Sequence, residues 1–286
     1  MSTASAATAQ RILTTLSSVE YLGAPPDLSM RLLAKAKDEK SSVEDIAGLI
    51  MCSPPVSASL LKLCNSAYYG RGEPIDSVSR AVVRLGLKTV VQFVYAMDMV
   101  GIFRGARATP AFNETLFWKS SLAGALVAQE IAATCGVADA DPVFLAALLR
   151  DIGVLILRQY FPDLFSETLA RAAETRSSFD EACAAVCGID HRSMGFLLAM
   201  RWKLPATLSV IFQPPALGVE CYDRYVLTRN IVLYAEYSLK IKSVYPWDPR
   251  AAADPAVGAL AYIASDTVDA MLLKIIAEVN ELYTHM

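Results

Sequence analysis

Only two histidines, His191 and His285, occur in 286 residues. A hydrolytic centre that gathers several imidazoles and carboxylates around one or two metals therefore has little to draw on. The six cysteines, at 52, 64, 135, 183, 187 and 221, form no Cys-x-x-Cys pair. Most sit on apolar helical faces, which fits reduced, buried small hydrophobes in an intracellular chain and makes a cytoplasmic location the expectation. Long hydrophobic runs are missing too. Thr89 to Phe103 is interrupted by Asp98 and is shorter than the about 20 apolar residues a membrane span needs, while Leu204 to Val219 is broken by Pro205, Pro214 and Pro215. No membrane span is expected. Met1 to Gln10 lacks a basic start followed by an apolar core, so it does not resemble a secretory signal, and its Ala/Ser/Thr composition suits a frayed tail. There is no surplus of positive charge either: the net charge is −3, which excludes general nucleic-acid binding as an electrostatic default.

What the chain does have is apolar residues, 54% of the total, with Gly and Pro at only 14 each. That composition argues for a packed domain and against disorder. Its punctuation is helical. Asp27 can cap a helix to about Lys37, and Ser42-Val43-Glu44-Asp45 has capping-box spacing ahead of Ile46, Leu49 and Ile50. Ser53 followed by Pro54 starts another helix, with Val56, Leu60, Leu61 and Cys64 on one face. Asp76 can cap a short helix through Val82 and Leu85, which Gly86 stops with a left-handed turn before a longer helix from Lys88 toward Met99. Further helical patterns cover Asn113 to Cys135, the stretch after Asp141-Pro142, Ser178 to Cys187 up to Gly188, the stretch after Asp190, Tyr225 to Ile241, and Pro255 to Leu282. Tyr160 to Asp163 is expected as a turn. No sustained period of two appears, so the expected fold is all-α.

Several stretches, taken in order, resemble a known family. They are Leu49 to Pro54, Ser57-Ala58-Ser59-Leu60-Leu61-Lys62-Leu63-Cys64-Asn65-Ser66-Ala67-Tyr68-Tyr69-Gly70, and Ile75 to Gly86. Later come Phe117-Trp118-Lys119-Ser120-Ser121, Leu148-Leu149-Arg150-Asp151-Ile152-Gly153, Gly188-Ile189-Asp190-His191 and Trp202-Lys203-Leu204-Pro205. The series resembles the HDOD family, the HD-related output domain of bacterial signalling proteins. The resemblance implies an HDOD domain over about residues 20–215, with an N-terminal lobe to about 108 and an HD-like lobe over 109–215. A tail and helix over 1–19 would precede it, and a helical extension over 216–286, packed on the HD-like lobe, would follow.

The departures from the family pattern decide the expected chemistry. In metal-dependent phosphohydrolases of the HD superfamily, a His-Asp pair stands where this chain has Arg150-Asp151, and both members bind one metal. A guanidinium offers five donors and no lone pair, so it cannot ligate a cation and repels one. Ser120 stands where family members often keep a histidine, and Phe212-Gln213-Pro214-Pro215 replaces an expected His-His element. Ser120, Arg150, Asp151, His191 and Glu236 are thus the expected remnants of the HD cleft, with no catalytic residue, no metal and no cofactor. Arg150 is expected to pair with a carboxylate at a rim or interface. The spacing of Cys183, Cys187 and His191 invites a zinc reading, but Gly188 ends the helix between them.

A second candidate region is a partner or ligand surface. Asn65, Ser66, Tyr68 and Tyr69 combine hydrogen-bonding and aromatic groups after an apolar helix; a helix end with tyrosines covering a seam between lobes is the plainer account. Arg80, Arg84 and Lys88 recur every four residues as a basic stripe that an acidic partner or a nucleotide phosphate could use. The expected function is a non-catalytic bacterial signalling module acting through protein–protein interaction, linked by the resemblance to two-component or cyclic-dinucleotide signalling, with its partner unnamed. The alternatives are a metal-dependent phosphohydrolase with a rearranged site and a nucleotide-binding sensor without turnover.

Overall fold

A computed structural model describes residues 3–18, 27–66, 69–70, 72–103, 109–137, 140–202, 204, 206–212, 223–241 and 265–285. Tyr68, residues 213–215 and the aromatic stretch 245–249 lie outside them. The described residues form helices and no strand, as the missing period of two predicts. The chain divides into two compact units, one made of residues 1–22 with 105–272, the other of 23–104 with 273–286.

The smaller unit contains α2 (Asp27–Ala36), α3 (Val43–Met51), α4 (Pro54–Cys64), α5 (Val78–Leu85) and α6 (Leu87–Phe103). Ser42 and Asp45 form the expected capping box at the start of α3, each side chain accepting the other's backbone N–H. Ser53 and Pro54 open α4. At α5 the N-cap is Ser77 rather than Asp76; Asp76 instead lies 3.7 Å from Arg80 as an exposed ion pair. Gly86 has the positive φ expected of a stop, 79°, but its ψ of 148° is extended, so the chain does not close a left-handed turn there. It swings by 111° into α6. α6 packs on α2, with Phe93, Val94, Tyr95 and Met99 fully buried, and the Ser29 backbone N–H donates to Asp98 at 3.0 Å. That bond accounts for an acid inside an apolar run. No described helix is long and apolar enough to cross a membrane.

The larger unit contains α1 (Thr3–Ser18), α7 (Glu114–Thr134), α8 (Asp141–Leu149), α9 (Ile152–Tyr160), α10 (Pro162–Thr175), α11 (Phe179–Cys187), α12 (His191–Arg201), the short α13 (Ala206–Ser209) and α14 (Asp223–Ile241). Residues 3–10 are not a frayed tail. They begin α1, whose Ala9, Ile12 and Leu16 recur at helical spacing, are buried, and pack on α11. α7 is the central helix: Ala123, Gly124, Ala125 and Ala128 are small enough to let α8 and α14 approach it closely. Asn113 caps α7 by accepting the Leu116 N–H at 3.0 Å. Ser178 with Glu181 forms a second capping box at α11, and Gly188 ends that helix in the left-handed conformation. α15 (Ser265–Thr284) runs across the division of the chain at 272/273, so the C-terminal extension belongs to both units rather than to one.

Candidate functional site

Between α8 and α9 the helix breaks for two residues, Arg150 and Asp151, and both side chains are about 2% exposed. The break places two consecutive charged residues in the core between two buried helices. Asp151 is the N-cap residue of α9 but its carboxylate makes no cap bond. It is spent elsewhere. Oδ2 lies 3.1 Å from Arg150 Nε and Oδ1 lies 3.2 Å from His191 Nε2. Arg150 also lies 3.8 Å from Glu236 on α14 and donates from Nη1 to the Ala147 carbonyl at 3.0 Å. Its guanidinium rests against Gly124 of α7, where a Cβ would come within 2.6 Å of Nη1. Ser120, buried, stands one turn earlier on α7.

Four of the five expected cleft residues, Arg150, Asp151, His191 and Glu236, are therefore joined in one buried network. Arg150 sits in the core, not at a rim: the partner carboxylates come from its own neighbour and from α14. Three members escape sequence reading. Asp180, in the first turn of α11, pairs with His191 Nδ1 and lies 3.5 Å from Arg192. Arg192 and Lys240 reach Glu236 at 3.6 and 2.5 Å. Their only local sign is placement in first or last helical turns, the usual positions of solvated charges.

The electrostatics follow from this geometry. Burial opposes charge on His191, but the Asp180 carboxylate and the hydrogen bond to Asp151 outweigh it and push its pKa up to about 10. Burial likewise opposes ionisation of Asp151, Asp180 and Glu236, yet all three are held below the usual carboxylate range: Asp151 chiefly by Arg150, Asp180 by His191, Glu236 by Lys240. The carboxylates around His191 favour its doubly protonated form.

A stability profile follows. The unfolded imidazole loses its proton near 6.5 and the folded one near 10. Stabilisation by His191 is therefore complete below about pH 6.5 and is lost as pH rises toward about 10, at up to about 1.4 kcal/mol per pH unit. The lowered carboxyl groups contribute above their ordinary range and lose that contribution in acid. Urea midpoints should fall between pH about 7 and about 9.5, and the His191→Gln variant should show a flatter alkaline limb. An equal slope in both proteins would refute a charged His191.

A metal ion of the HD type does not fit this donor set. Both oxygens of Asp151 face Arg150 and His191, both nitrogens of His191 face carboxylates, and Arg150 adds a permanent positive charge at the centre. Among the described residues no three His, Cys, Asp or Glu side chains are disposed to hold a metal. Cys183 and Cys187 are buried on α11, and the His191 ring that would complete a zinc set is engaged by Asp151 and Asp180.

The second region divides. Asn65 donates from Nδ2 to the Ile75 carbonyl at 2.7 Å and accepts the Ile75 N–H at 2.8 Å, so its amide closes the loop as a strand partner would. The Tyr69 hydroxyl donates to Glu278 of α15 at 2.8 Å, and Ser66 accepts the Tyr69 N–H at 3.4 Å. Gly70 brings its N–H within 2.7 Å of the Ser66 carbonyl, an approach any Cβ would block. These groups shape a loop inside the smaller unit. Arg80 and Arg84 line a common groove, whereas Lys88 lies beyond the bend at Gly86, in the first turn of α6.

The model of the HDOD domain matches residues 22–213. A solved HDOD domain protein of unknown function from Geobacter sulfurreducens is similar over 97% of this chain and 98% of its own, with a TM-score of 0.78 at 23% identity. A candidate signal transduction protein from Marinobacter aquaeolei superposes with a TM-score of 0.72 at 16% identity, over 98% of this chain and 65% of that one. An uncharacterized protein of Treponema pallidum is 26% identical over 167 residues, 57% of this chain but 31% of that protein's length. The all-helical fold, the ordered motifs and the match over two-thirds of the sequence agree: this chain belongs to the HDOD family.

Proposed function

We propose that this protein is a non-catalytic regulatory module of a bacterial cytoplasm that acts by binding a signalling partner. The observation that carries the reading is the internal ion pairing where the family resemblance expects a metal: Arg150 and His191 lie against the two Asp151 oxygens, and Asp151 and Asp180 against the two His191 nitrogens. A cation placed among them would face the Arg150 guanidinium at close range. An internally paired charge network supports a binding role over a hydrolytic one. The name of the Marinobacter relative, which refers to signal transduction, points the same way.

The test is elemental analysis of untagged protein, together with phosphodiesterase and phosphatase assays in Mn, Mg, Fe and Zn. The expected result is substoichiometric metal and no turnover in any of the four. A tightly held metal that disappears in the Asp151→Asn variant, with activity that disappears alongside it, would establish a rearranged phosphohydrolase instead.

A further inference from the structure

α5 is strongly amphipathic: Val78, Ala81, Val82 and Leu85 are buried. Val83 breaks the pattern. It lies on the polar side of the helix, between Arg80 and Arg84, and is 70% exposed. It faces a groove of about 600 Å³ between α3 and α5, whose other wall carries the half-exposed Val43 and whose floor is Ile75. Four of the six large apolar side chains exposed among the described residues, Val43, Met51, Val83 and Leu87, lie on α3, α5 and the start of α6. Exposed aliphatic groups gathered on neighbouring elements mark interaction surfaces more often than chance scatter does.

The charges around the groove select the partner. Arg84 lines the groove and donates from Nη2 to the Glu73 carbonyl at 2.8 Å, while its Nη1 is buried, so its charge is held at the groove's edge. Among the described residues Arg80 pairs with the exposed Asp76, at 3.7 Å, a pairing weak enough to be exchanged for another carboxylate. Glu44 is the one acid on the wall, so two guanidiniums flank an aliphatic centre in a chain whose net charge is −3. We propose that this groove docks an acidic amphipathic helix of a partner protein, with aliphatic side chains seated against Val43, Ile75 and Val83 and carboxylates paired with Arg80 and Arg84. The inference rests on the binding-module reading above and gives its partner a chemistry.

The probe is a short fluorescent helical peptide with leucines one turn apart, flanked by glutamates, measured by anisotropy on the full chain. Its controls are the same peptide with Lys for Glu and with Ser for Leu. The glutamate–leucine peptide should bind, more weakly as salt rises, and both controls should fail. Val83→Ser and Arg80→Glu change exposed side chains, and each should weaken binding about fivefold or more while leaving the circular dichroism and melting temperature unchanged. Binding that ignores both substitutions, equal binding of the lysine peptide, or no binding at all would overturn the docking site. Those failures would leave an inert, metal-free protein and hence the proposed function intact; a metal-bound, active protein would overturn that function whatever the peptide does.

Discussion

Replacing Arg150 by methionine should cost about 3–5 kcal/mol of folding stability, the scale of a buried ion pair broken from one side. The methionine stem fills most of the space, so lost packing contributes little. The cost comes from Asp151 and Glu236, which are left buried with one cation fewer. A double variant separates the two causes. Arg150→Met combined with Asp151→Asn removes a charge of each sign and should recover part of the loss, because a neutral amide is far cheaper to bury than an unpaired carboxylate. Urea denaturation of the three proteins decides the matter: a double variant less stable than Arg150→Met alone would mean that the pair contributes through shape and not through charge.

Gly153→Ala should destabilise by about 1–3 kcal/mol or more, an effect of overpacking, and Gly153→Leu should prevent folding. A Cβ at Gly153 would overlap the His191 backbone carbonyl and come within 3.1 Å of the Gly195 nitrogen. The obstacle is backbone on α12, which cannot swing aside as a side chain would. Gly195 answers from the other helix, where a Cβ would meet Phe212 at 2.6 Å. The comparison is Gly48, inside α3, where a Cβ meets nothing within 4 Å; Gly48→Ala should stabilise by about 0.5–1 kcal/mol through helix propensity. Melting temperatures that move in the same direction for both alanine variants would refute the account of α9 against α12.

Helix positions were legible because their signals are local. Ser42 with Asp45, Ser53 with Pro54, and Gly188 after Cys187 each act within a few residues, and each stands where the sequence places it. The errors are equally physical. Residues 3–10 look like a tail by composition, but Ala9, Ile12 and Leu16 find a partner in α11, and tertiary burial outweighs a weak local preference. At α5 two adjacent cap residues compete, and Ser77 takes the position while Asp76 turns toward Arg80. Within the charged network, Arg150 and Asp151 were visible because they replace a known pair. Asp180, Arg192 and Lys240 were not, since a charge in a terminal helical turn reads as surface until three helices close around it.

The discontinuity of both units bears on the order in which the chain can fold. Residues 1–22 are made before residues 23–104 but belong to the unit that continues only at residue 105, and residues 23–104 belong to the unit that includes 273–286. Neither unit is built from one continuous stretch of chain. α1 must wait with Ile12 and Leu16 uncovered until α11 emerges, and Tyr69 must wait for Glu278, a separation of 209 residues. Long-range closures of this kind are slow and leave apolar faces open to other chains in the meantime. Fragments cut at residue 104 would divide both units and keep those faces exposed permanently.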